Sequence, residues 1–244
     1  MKTSGNTILI TGGTSGIGLA LAKKFLVLNN NVIICGRRED RLKKIKESYS
    51  EIETRICDVQ LKEERISLAF WIFKNFPETN ILINNAGIQL LADLTKEVDL
   101  SRIYKEVEIN LIAPIHLNSL FAEHLKQKNE AAIINISSGL AFTPIAVMPV
   151  YCATKAAIHS LTLSLRHQLK DTSIKVFEIA PPSVDTELGA DRRKDKLATH
   201  GGMQVDEFIA EAMQYLENDV LESAVGMAKN MREKRDALFP MMNH

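Results

Sequence analysis

The chain has 244 residues, 45% of them apolar, and its basic and acidic residues cancel to no formal net charge. Those values suit one α/β domain with a sizeable core. They exclude the electrostatic footprint expected for nucleic acid or an acidic membrane surface. The opening "MKTSGNTILIT" has too short an apolar run to predict a signal peptide. The longest weakly polar stretch, 139–153, is broken by Pro144 and Pro149 and is too short to insert in a membrane. Three cysteines, Cys35, Cys57 and Cys152, form no C-x-x-C, which predicts reduced, buried thiols and a cytoplasmic location.

In chain order, short β-branched runs alternate with longer amphipathic segments. "TILIT" (7–11) predicts a strand and 17–28 a helix, followed by a strand at "NVIICG" (31–36) and a charged helix over 39–49. A strand over 53–59, a helix over 62–76 and a strand beginning at "NILINNAG" (80–87) come next. A long helix through 103–125 precedes the strand "AAIINISS" (131–138), a helix over 150–169 and the strand "IKVFEIAPP" (174–182). Continuous apolar strands are covered on both faces, the mark of a parallel sheet. Strand–helix alternation then predicts a Rossmann-like, doubly wound, three-layer α/β/α sandwich. Ligands of such sheets sit beyond the carboxyl ends of the strands, and every motif below falls there.

"ITGGTSGIGLA" follows the first strand and opens a helix. Gly12, Gly16 and Gly18 permit a tight turn and close approach of a phosphate, with hydroxyls from Thr14 and Ser15. With Ile17, these residues place a pyrophosphate at a helix amino terminus, where free N–H groups and the dipole favour an anion. A plain glycine-rich turn is the alternative. Leu19 stands where a nucleoside-triphosphate loop needs lysine. The second strand ends in Gly36-Arg37-Arg38 rather than an acid. Two guanidiniums suit a ribose 2′-phosphate and predict NADP(H) in preference to NAD(H); a solvated helix start is the other reading. Asp58, with Val59 beside it, ends the third strand and is either an adenine contact or a turn aspartate.

In "VYCATKAAIHS", Tyr151 and Lys155 are four apart at a helix start and share a face. A nearby ammonium favours phenolate and lowers a phenol's pKa from about 10, so that the phenol can exchange a proton with a carbonyl or alcohol oxygen. Ser137 and Ser138 end the preceding strand, and a hydroxyl there can polarise the same oxygen. Taken alone, a Tyr-x-x-x-Lys pair is more often helix surface. The six histidines form no ligand pair with one another, and no metal site is expected.

Together, "TGGTSGIG", "NNAG", the asparagine of "EIN", "NISS" and "YCATK" resemble the classical short-chain dehydrogenase/reductase family over residues 7–188. The resemblance implies Ser138 as the catalytic serine, Tyr151 as general acid/base, and Lys155 as the residue that tunes it and binds the nicotinamide ribose. It implies that Asn110 bends the long helix and holds a water for proton relay. It further implies Asn85, Ala86 and Gly87 beside the adenosine, and Pro181, Val184 and Thr186 beside the nicotinamide carboxamide. The partners implied are a small carbonyl or alcohol substrate and a second copy of the chain, as homodimer or homotetramer.

Pro182 departs from the family by replacing a glycine, fixing φ and removing an N–H. The ending "NDVLESAVG" and the basic segment 227–238 replace the common family ending and predict a last strand and helix. With "PP-x-V-D-T", they are similar to the DltE-like oxidoreductase subgroup. Residues 187–203 stand where the family places its substrate lid, an exposed linker being the alternative. Leu140, Phe142, Val147 and Met148 are candidates for the pocket wall, although core packing would demand the same residue types. The reading that follows is an NADP(H)-dependent oxidoreductase interconverting a carbonyl and an alcohol. The alternative is an NADP(H)-sensing protein without turnover.

Overall fold

The computed structural model describes residues 1–189 and 201–243. Seven strands form one parallel sheet in the order β3-β2-β1-β4-β5-β6-β7. They are β1 (Thr7–Thr11), β2 (Asn31–Gly36), β3 (Glu53–Ile56), β4 (Thr79–Asn84), β5 (Ala131–Ile136), β6 (Ile174–Ala180) and β7 (Glu222–Ala224). Every residue of β1 and β5 is buried, as continuous apolar runs between two helical layers require. The chain order reverses between β1 and β4, which opens a crevice at their carboxyl ends.

The first helices are α1 (Gly16–Val27), α2 (Glu39–Ser48) and α3 (Lys62–Asn75). After β4 come α4 (Leu100–Val107) and α5 (Ala113–Lys126), joined through a π-helical turn at Glu108–Ile112. The expected long helix is thus continuous but widened at Asn110. α6 (Pro149–Gln168) starts with proline in its first turn, where the missing N–H costs nothing. α7 (Val205–Glu217) was not expected, although Phe208, Ile209, Ala212, Met213 and Leu216 make a regular buried stripe. α8 (Ala228–Lys234) and α9 (Phe239–Met242), separated by the short 3₁₀ turn Arg235–Leu238, divide what reads as one C-terminal helix.

Two apolar clusters lie on opposite faces of the sheet, one including Phe25, Phe177 and Phe208 and the other Leu117, Phe121 and Ile133. A polar ladder crosses the second layer. Asn84 of β4 donates to Asn118 of α5 at 2.7 Å and to Asn135 of β5 at 2.9 Å, and Asn135 donates to Thr162 of α6 at 2.9 Å. Buried amides need such partners, and these fix the registers of α5 and α6 on the sheet. β3 ends at Ile56, short of the expected 59, because Cys57 still donates to Gly36 while the chain turns at Asp58. Most of the expected lid, residues 190–200, lies outside the described residues.

Candidate active site

The glycine turn is held from below by Thr11. Its hydroxyl accepts from the N–H groups of Asn85 and Ala86 at 3.0 and 3.1 Å, and the Asn85 amide donates to the carbonyls of Thr11 and Gly12 at 2.9 and 3.2 Å. Asn85 and Ala86 therefore brace the end of β1. This close approach makes glycine obligatory at two positions. Gly12 has φ +66°, and a methyl there would lie 2.8 Å from Ala86 Cα; a methyl at Gly18 would lie 2.5 Å from the Gly12 carbonyl. α1 opens at Gly16 and Ile17, and Ser15 makes no side-chain capping bond to its first N–H groups. Those donors are left for an anion.

Arg38 reaches back over the turn and donates to the hydroxyls of Thr14 and Ser15, both at 3.0 Å. Its guanidinium stands 3.6 Å from the Glu187 carboxylate, which Arg41 also meets at 2.5 Å. Burial pulls the Arg38 guanidinium below its usual range, and the neighbouring Arg41 adds to that. Arg37 beside it is exposed. Arg38 and Arg41 thus face one acidic group beyond β2, beside the exposed Arg37; Arg41 is the cation that the sequence did not point to. Asp58 takes the plainer of its two roles for one oxygen, which accepts from Gln60 N at 3.0 Å. Val59 is buried, and its carbonyl is held at 2.5 Å by the buried Arg65, which also pairs with Glu108 at 2.8 Å.

At the end of β5, Ser138 is buried, and its hydroxyl accepts from Leu140 N at 3.1 Å, starting a short 3₁₀ turn. Tyr151 and Lys155 follow one turn apart on α6, both only 5% exposed. The Lys155 ammonium lies 5.7 Å from the centre of the Tyr151 ring and donates to the Ile136 carbonyl at 2.8 Å. Burial pulls Lys155 down to about 8, and the Glu178 carboxylate works against that pull. Asn110 is buried in the π-helical turn. Its oxygen accepts from Ile88 N at 2.9 Å, while its amide donates to Ile88 O at 2.8 Å and Thr154 Oγ1 at 3.2 Å. It therefore ties the segment after β4 to the first turns of α6. Gly87 lies between these groups: a methyl there would be 3.4 Å from Asn110 Oδ1 and 3.8 Å from Lys155 Nζ.

A short-chain dehydrogenase family model matches residues 6–197. The chain belongs to the short-chain dehydrogenase family. It is 47% identical to the uncharacterized oxidoreductase DltE of Bacillus subtilis strain 168, over 100% of this chain and 98% of that protein, which places it in the DltE-like subgroup. Two solved structures share the fold. A short-chain dehydrogenase from Burkholderia cenocepacia in complex with NADP is 23% identical over 96% of this chain and 94% of its own, with TM-score 0.83. One from Burkholderia phymatum in complex with NAD is 21% identical over 100% and 97%, with TM-score 0.86.

The remaining expected site residues of this short-chain dehydrogenase lie in varied surroundings. Despite Pro182, Thr186 reaches the glycine turn, where a methyl at Gly16 would meet its Cβ at 3.2 Å. Val184 is buried in the core, and its strand-like bridge to Met203 fixes the backbone there; the Pro181 carbonyl accepts from Gly139 N at 2.8 Å. Phe142, a candidate for the pocket wall, packs between His159 and Arg232. It is buried, with its ring edge-on to His159 at 4.9 Å between centres. Val147 stays exposed, and Leu140 and Met148 are partly so. Cys152 is buried, and burial pushes its thiol up, as suits an inert residue. A cleft of about 720 Å³ between α1 and α7, lined by Gly16, Lys23, Thr186 and Ile209, touches the glycine turn but not Ser138, Tyr151 or Lys155.

One group could not be found by looking for histidine pairs. The ligand atoms of His159, Glu178 and Glu222 lie within 4.8 Å of one another. They come from α6, β6 and β7, so no sequence spacing joins them.

Because Gly18 is enclosed by Gly12 and Asn85, Gly18→Ala forces the turn apart. Overpacking of this kind costs about 1–3 kcal/mol, so dinucleotide affinity, followed by fluorescence titration, is expected to fall about tenfold or more. Unchanged affinity would show that the turn does not hold the cofactor.

Proposed function

We propose that the chain is an NADP(H)-dependent oxidoreductase that interconverts a carbonyl and an alcohol, with Tyr151 as general acid/base. The observation that carries this reading is the buried ammonium of Lys155 beside the Tyr151 ring, at the carboxyl end of the strand that bears Ser138. The cofactor fits the residues present: a glycine turn that side chains would fill, uncapped helix N–H groups, and a guanidinium cluster beyond β2. A bound nicotinamide supplies the hydride.

Each residue then has a definite task. Gly12, Thr14, Ser15, Gly16, Ile17 and Gly18 receive the pyrophosphate. Asp58 and Val59, with Asn85, Ala86 and Gly87, border the adenosine side, and Pro181, Val184 and Thr186 border the nicotinamide. Ser138 orients the substrate oxygen by a hydrogen bond. Tyr151 gives that oxygen a proton during reduction and takes one during oxidation. Lys155 holds the ribose hydroxyls and, while charged, favours phenolate in Tyr151. Asn110 braces α5 against α6, so that Lys155 and Tyr151 stay in register.

Removing the phenol should abolish proton transfer without disturbing the cofactor site. In Tyr151→Phe, turnover with a carbonyl panel is expected to fall at least about a hundredfold, with NADPH affinity near that of the unaltered chain. Carbonyl reduction by the unaltered chain needs Lys155 charged, so its rate is expected to decline as pH rises through about 8. Full activity in Tyr151→Phe would refute the assignment.

The cofactor preference rests on Arg37 and Arg38, with Arg41 as a third cation. Glu187 now supplies the anion that Arg38 and Arg41 face, and a 2′-phosphate offers a stronger one. NADPH is expected to bind more tightly than NADH, and Arg37→Asp to narrow or invert the difference. Equal dissociation constants for the two cofactors in the unaltered chain would contradict this.

A further inference from the structure

Glu178 is wholly buried on β6, and one of its oxygens, Oε1, has no hydrogen-bond partner. Buried carboxylates are costly unless paired. Directly across the sheet its register partner is Glu222 of β7, a second carboxylate. Like charges facing each other on adjacent strands repel, so this pair needs compensation. Two groups meet the carboxylates from outside the sheet. His159 Nδ1 of α6 meets Glu178 Oε2 at 2.8 Å, and Arg232 of α8 pairs with Glu222. Arg232 is held in place by the face of Phe142, 5.4 Å from its guanidinium carbon, and His159 by the edge contact with the same ring.

This cluster lies directly behind the candidate reaction centre. Tyr151, Lys155 and His159 recur every four residues on the face of α6 that meets the sheet. Lys155 donates to Ile136 of β5, whose register partner Ile179 follows Glu178 on β6. The titratable and charged groups gathered here are therefore Tyr151, Lys155 and His159 from α6, Glu178 from β6, Glu222 from β7 and Arg232 from α8.

We propose that Glu178 is the buried counter-charge of Lys155, a positioning residue whose pull on the ammonium is set by His159, Glu222 and Arg232. This deepens the functional reading above. Burial favours the neutral amine, and a lysine that has lost its proton no longer favours phenolate in Tyr151. Glu178 opposes that loss from β6, on the face of the sheet that α6 covers. Arg232 neutralises Glu222, so the cluster does not over-stabilise the ammonium. The same three ligand atoms would suit a divalent cation, but Arg232 already supplies positive charge at Glu222.

The test is the titration of Lys155 itself, read by NMR of protein labelled with ¹³C at the lysine ε-carbon and assigned by the signal lost in Lys155→Met. It needs neither substrate nor cofactor, so failure of charge tuning is distinguishable from failure of turnover. Glu178→Gln is expected to lower the Lys155 midpoint by about one pH unit or more, with Glu178→Asp restoring most of it. Two variants at the partly exposed rim should act in opposite directions. Glu222→Gln leaves Arg232 unbalanced and lowers the midpoint, whereas Arg232→Met frees Glu222 and raises it. If Glu178→Gln does not fold, the rim pair still decides the matter. Midpoints that stay in place in these variants, or rim shifts of the same sign, would overturn the proposal. So would a midpoint that moves in the unaltered chain on adding EDTA, because a bound cation would then set the charge.

Discussion

The ammonium of Lys155 is buried in the interface between α6 and the sheet, and the rest of the site is arranged around that constraint. A buried charge has to be hydrogen-bonded and balanced. The Ile136 carbonyl provides the bond, and the carboxylate of Glu178, on the neighbouring strand, favours the charged form. Because the lysine is fixed to β5 and Tyr151 stands one helical turn before it, the phenol is placed at the carboxyl edge of the sheet. Helix placement is enforced independently by Asn135 on Thr162 and by Asn110 on Thr154. The chemistry thus depends on polar contacts deep in the layers as much as on the residues at the surface of the crevice.

The cofactor side follows a steric logic. Thr11 and Asn85 draw the ends of β1 and β4 so close that side chains are excluded at Gly12 and Gly18. The reversal of strand order at this point leaves a crevice, and α1 aims its first N–H groups into it. Arg38 links the turn to the end of β2 through Thr14 and Ser15. The same two contacts order both hydroxyls at the glycine turn.

Much of this was legible in the sequence because the signals were local. Continuous apolar runs marked β1, β2 and β6 within a residue or two, and the i, i+4 spacing put Tyr151 beside Lys155. Asn110 was expected to bend its helix, and the π-helical turn at Glu108–Ile112 widens the backbone there. α7 lies outside the elements expected from the sequence, although its apolar stripe is regular. Phe142 was ambiguous in principle: a core residue and a pocket wall call for the same side chain. His159, Glu178, Glu222 and Arg232 could not have been joined from spacing, since four separate elements and the register of β6 on β7 bring them together. Nor could Arg65, whose partners lie on a loop, in the π-helical turn and on α5.

The proposed reaction passes a hydride between a nicotinamide and a carbonyl carbon. The most direct measurement uses NADPH carrying deuterium at the transferable position of nicotinamide C4, with mass spectrometry of the alcohol formed from a carbonyl panel. One deuterium is expected on the former carbonyl carbon of any product, with at least about a hundredfold less labelled alcohol formed in the same time by the Tyr151→Phe variant. Tight NADPH binding without any labelled alcohol across the panel would contradict it.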